Sequence, residues 1–115
     1  MKKVFVFLLT LSIVFMAYAG YFAQELRNSM SRARDGNLVE YTLHFPGGEE
    51  KLFTGADFTN GRIIEQGGAP AYFELIHGKY EKKYNIVISL QNCIYYKLDI
   101  EKVNSKWEYR FHFYY

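Results

Sequence analysis

One cysteine, Cys93, stands in a chain of 115 residues, so no internal disulfide can staple the fold. Its expected place is a buried or strand-end position, with an intermolecular link as the alternative. Three histidines, His44, His77 and His112, lie far apart without HxxH or HxH spacing. No metal site is therefore expected unless the fold itself assembles one. No GxSxG nucleophile elbow occurs, and Cys93 has no histidine beside it. The glycine pairs of "PGG" (46–48) and "QGG" (66–68) flank turns and open no helix, so they form no phosphate cradle. Carboxylates are scattered, with Glu49 and Glu50 in a turn. These absences point away from an enzyme, and no cofactor is expected.

An excess of one charge is missing too. The 14 basic and 12 acidic residues become 12 against 12 once Lys2 and Lys3 are set aside with the leader described next. A neutral domain lacks the electrostatic footprint of a nucleic-acid binder, and that class is excluded.

The chain opens as an export signal does. Lys2 and Lys3 form a basic start, "VFVFLLTLSIVFM" (4–16) an apolar core, and Ala17 and Ala19 occupy the small-residue positions of a cleavage site. Cleavage after Ala19 leaves one small domain, residues 20–115, in the periplasm or secreted. The alternative is an uncleaved anchor, since weak apolar character continues to Ala23. A membrane partner is expected only in that case. Cys93 is too far from the site for a lipoprotein.

In "YFAQELRNSMSRAR" (21–34), Phe22, Leu26, Met30 and Ala33 share one face of a 3.6-residue period. Glu25 in the first turn and Arg32 and Arg34 in the last complement the helix dipole, and Gly36 follows as a stop. "LVEYTLHF" (38–45) alternates as a half-buried strand, with Val39, Tyr41, Leu43 and Phe45 opposite Glu40, Thr42 and His44. "PGGEE" turns the chain. "KLFTGADFTNGRIIEQ" (51–66) reads as a hairpin about Asn60-Gly61, a dipeptide suited to a type I′ turn. "APAYFELIHGKYEKKY" (69–84) allows a strand through its alternation. A helix near 70–83 is preferred, because Pro70 suits a first helical position and Phe73, Ile76 and Tyr80 share a helical face. "YNIVISLQ" (84–91) alternates as a strand.

The last two strands flank Asn104-Ser105. A two-residue loop there pairs Ile100 with Tyr109, Leu98 with Phe111, Tyr96 with Phe113 and Ile94 with Tyr115 on the apolar face. On the other face it pairs Asp99 with Arg110, Lys97 with His112 and Tyr95 with Tyr114, leaving Glu101 opposite Glu108 as the one mismatch.

The expected fold is α+β: two α-β-β-β halves forming an antiparallel sheet with two helices packed on one face. In this element order, and in the "FTNGRIIEQ" stretch, the chain resembles PepSY-like and beta-lactamase-inhibitor-protein-like tandem domains of exported bacterial proteins. The resemblance implies protein binding or inhibition and carries over no functional residue.

The aromatic ending "YRFHFYY" is superficially that of an outer-membrane barrel. Eight spanning strands of about 9–11 residues would take nearly all of the 79 residues after the first helix, leaving none for turns or a second helix. The expectation is a non-enzymatic module that binds another protein, with an anchored envelope subunit or a small ligand-binding domain as alternatives. Its candidate contact residues are Tyr95, Lys97, Arg110, His112 and Tyr114, since tyrosine and arginine join contact area to a polar tip. The bland alternative is an ordinary solvated sheet face.

Overall fold

A computed structural model describes residues 20–78 and 84–115. The expected signal segment, 1–19, and the end of the expected second helix, 79–83, lie outside the described residues. Residues 20–34 are helical (α1). Seven strands follow: β1 Leu38–His44, β2 Glu50–Thr54, β3 Asn60–Gln66, β4 Ala69–His77, β5 Tyr84–Ser89, β6 Tyr95–Val103 and β7 Lys106–Tyr114. A single 3₁₀ turn, Gly55–Asp57, links β2 to β3.

The end of α1 is set by its glycine. Gly36, at φ +89°, lets its own N–H reach the Ala33 carbonyl (3.1 Å) while the Asn37 N–H reaches Arg32 (3.1 Å). This is the Schellman arrangement, and it satisfies carbonyls the helix would otherwise leave open. The face of Phe22, Leu26 and Met30 is buried as its spacing predicts.

The strands form two sheets, ordered β2-β1-β7-β6 and β3-β4-β5. The β6–β7 hairpin has the expected register from Tyr95↔Tyr114 to Glu101↔Glu108. Asn104 and Ser105 take φ of 50° and 67°, as a type I′ turn requires. Helix α1 packs on the expected face of this hairpin. Phe22 meets Phe111 and Phe113 edge-on (centroids 5.6 and 5.7 Å) and stacks on Tyr96 (4.2 Å). The two sheets touch through Tyr41 of β1 and Phe73 of β4, 5.3 Å apart.

Three expectations are overturned. In place of two helices on one antiparallel sheet, the described residues hold one α-helix and two sheets. The segment at 69–77 is a strand. Its alternate residues Ala71, Phe73 and Leu75 are fully buried, and it pairs on both sides, with β3 and with β5. Those cross-strand contacts outweigh the local helix signals, Pro70 and the spacing of Phe73 and Ile76. Pro70 instead sits at the strand start, beside Ala71, the extra residue on β4 where the register shifts opposite Ile64 and Glu65, and a missing N–H is tolerated there. The α-β-β-β repeat falls with it.

Asn60-Gly61 is no turn either. It starts β3, with Gly61 opposite Leu75. A Cβ on Gly61 would meet Met30 Cγ and Phe73 Cζ at 3.0 Å, so this glycine is needed for close packing. The turn is Gly67-Gly68, at φ +60° and +79°.

The third correction concerns topology. Strands β1 and β7 run parallel at the middle of the four-stranded sheet, from Leu38↔Glu108 to His44↔Tyr114. The first strand is thereby joined to the last, and the polar face of β1 is placed beside that of β7.

Candidate functional site: the open face of the four-stranded sheet

Alternation along each strand sends every second side chain away from α1. The registers then align these side chains in rows across four strands. One row is Tyr95, Tyr114, His44 and Glu50; the next is Lys97, His112, Thr42 and Leu52; the third is Asp99, Arg110, Glu40 and Thr54. All five residues expected at the site, Tyr95, Lys97, Arg110, His112 and Tyr114, lie on this one face.

The first row is a stack of rings. Tyr95 lies on Tyr114 (4.2 Å between centroids, 7° between planes), and Tyr114 lies on His44 (4.3 Å, 6°). Tyr95 remains 55% exposed at the end of the stack. The phenol of Tyr114 is pushed above its ordinary value, first by partial desolvation and then by its neighbour Tyr95.

The second row joins the first through the histidines. His44 Nε2 and His112 Nδ1 are 2.8 Å apart, and His44 Nδ1 is 3.1 Å from Glu50 Oε1. His112 Nε2 in turn faces Asp99 Oδ2 at 3.4 Å. Partial burial lowers the pKa of His112; the Asp99 carboxylate opposes this, while His44 and Lys97 add to it.

The third row is a charge network. Arg110 donates to Glu40 (3.0 Å) and Glu108 (2.8 Å), which holds its guanidinium firmly protonated, chiefly through the Glu108 bond. Arg110 is therefore committed to its own sheet, whereas Tyr95 and Lys97 are exposed at its edge.

His44, Glu40 and Glu50 are members of this surface that sequence reasoning leaves out. The signal available was the polar alternation Glu40, Thr42, His44. Nothing local shows which strand lies beside β1, and its parallel partner is 70 residues away.

The described residues contain no group of three or more His, Cys, Asp or Glu side chains suited to a metal ion. Cys93 donates to the Tyr95 carbonyl (2.9 Å), and burial raises its thiol pKa, which disfavours the nucleophilic thiolate. A cavity of about 450 Å³ opens beside the start of α1, lined by Phe22, Ala23, Pro70, Leu90 and Tyr96. It gathers none of the histidines or carboxylates that would orient a polar ligand. No family model, curated protein or solved structure matches the chain.

Proposed function

We propose that this chain is an exported, non-enzymatic binding module whose contact surface for another protein is the open face of the four-stranded sheet, centred on Tyr95 and Tyr114. The observation that carries this reading is the Tyr95–Tyr114–His44 stack, a pre-ordered set of parallel rings at a face with no covering element among the described residues. Stacked tyrosines offer large contact area with little side-chain entropy left to lose on binding, and tyrosine is over-represented at interface hot spots. The mixed charges of the neighbouring rows suit a polar rim around an aromatic centre. Export is supported by the basic start, apolar run and Ala17-x-Ala19 of the first nineteen residues.

The test is capture from the envelope and secreted fractions by immobilised protein, with partners identified by mass spectrometry and affinity then measured. The variant Tyr95→Ala/Tyr114→Ala should keep its far-ultraviolet circular dichroism and weaken binding by at least about 30-fold, the loss of one hot spot. Undiminished affinity in a folded variant moves the contact surface elsewhere, first to the glycine loops at 46–50 and 66–69. The intact mass of the exported protein tests processing, and a mass that includes residues 1–19 favours the anchored subunit.

A further inference from the structure

Across the open face runs an unbroken line of ionisable atoms: Glu50 Oε1, the two nitrogens of His44, the two nitrogens of His112, and Asp99 Oδ2. The three gaps are 3.1, 2.8 and 3.4 Å. Each gap needs one proton to be attractive. Two neutral imidazoles bring only two protons. One then lies between the rings and one faces a carboxylate, which leaves a nitrogen lone pair against the other carboxylate. A third proton fills every gap, and the pair carries one positive charge between two negative ones. A fourth has no place, because it sets an N–H of His44 against an N–H of His112 at 2.8 Å.

We propose that His44 and His112 form a proton-counting switch, in which one shared charge closes the ring face and a second proton drives the two imidazoles apart and breaks the stack. His44 is the inner ring of that stack, so its displacement takes away the surface on which Tyr114 lies.

The surroundings fit this assignment. From β2, Glu50 supports the first charge; from β6, Asp99 does the same, while Lys97, 3.5 Å from Asp99, resists the second. From β1 and β7, Glu40 and Glu108 share the single positive charge of Arg110, and the negative charge left over also supports the first charge on the pair. The neutral Tyr114 ring lies flat against His44, where its π face favours the first charge. As to function, the proposal rests on the ring face being the contact surface: a partner held there at neutral pH is released in acid.

The experiment is a pH titration of the ¹⁵N-labelled full chain, following the imidazole nitrogens and the ring protons of Tyr114 by nuclear magnetic resonance. Two coupled steps more than about one pH unit apart are expected, shared by both histidines, with the Tyr114 signals moving in the lower step. In His112→Gln, and separately in His44→Gln, the remaining histidine should show one step and the Tyr114 response to the lower step should vanish. Independent single steps for the two histidines in the parent chain, or a Tyr114 ring that ignores the lower step, overturn the switch. The titration needs no partner, so loss of partner capture at every pH sinks the contact-surface reading without touching this one.

Discussion

Replacing Phe111 by alanine is the sharpest test of the core. Phe111 lies on β7, between Tyr41 of β1 and Leu98 of β6, and no part of it is exposed. Its ring stacks on Tyr41 (5.5 Å, 22°) and meets Phe22 of α1 edge-on (5.6 Å, 76°). Truncation therefore removes one buried ring and leaves a hole walled by two others on different elements. Phenylalanine-to-alanine changes in cores cost about 3–5 kcal/mol. Phe111 belongs near the top of that range, because Tyr41 is held by its hydroxyl to Ser29 (2.6 Å) and cannot readily move in to fill the space. A domain of this size has about 5–15 kcal/mol of stability in all, so the variant should be marginal, and urea unfolding is best followed at low temperature. Ile100→Ala is the control. Ile100 shares the apolar face of the hairpin but is 41% exposed, and it should lose less than about 1.5 kcal/mol. A loss below about 1 kcal/mol for Phe111→Ala, or an equal loss for the two variants, would show that the face on α1 is not the core.

Further outcomes follow from the same geometry. Tyr41→Phe removes a buried hydroxyl, while Ser29 Oγ still donates to the Leu26 carbonyl (2.7 Å), so thermal unfolding should report a loss of only about 1 kcal/mol. Gly61→Ala should cost about 1–3 kcal/mol in urea, because Met30 and the buried Phe73 ring must give way. Gly67→Asn should stay within about 0.5 kcal/mol, since asparagine tolerates the positive φ and the site is open. On the acid side, His112 resists protonation when folded but charges at about pH 6.5 when unfolded. Below that pH the unfolded chain has taken up both histidine protons while the folded pair resists the second, so the urea midpoint should fall as pH drops from about 6.5 toward that second step; His112→Gln should flatten the fall. On the alkaline side, burial pushes the Tyr115 phenol up to about 12, and its hydroxyl donates to the Ser89 carbonyl (2.7 Å). Stability should decline as pH rises past about 10, with the phenolate absorbance of the buried tyrosines appearing only on unfolding.

The sequence by itself determines the elements whose signals are local. In α1, Phe22, Leu26 and Met30 recur at the helical period and Gly36 ends it; neither signal needs anything distant. In the β6–β7 hairpin, a two-residue turn at Asn104-Ser105 sets the register, and alternation then puts Tyr95, Lys97, Arg110, His112 and Tyr114 on one face. Five residues of the candidate site are legible for that reason. Only the tertiary structure decides the rest. Residues 69–77 carry both a helical and an alternating pattern, and pairing with β3 and β5 on either side makes them a strand. Asn60-Gly61 has the chemistry of a turn, but the approach of Met30 and Phe73 uses its glycine for packing, and the chain reverses at Gly67-Gly68. The parallel union of β1 with β7 brings His44 to His112, which lie 68 positions apart. No short-range pattern encodes a parallel partner, because such pairing is rewarded only once the intervening chain has folded.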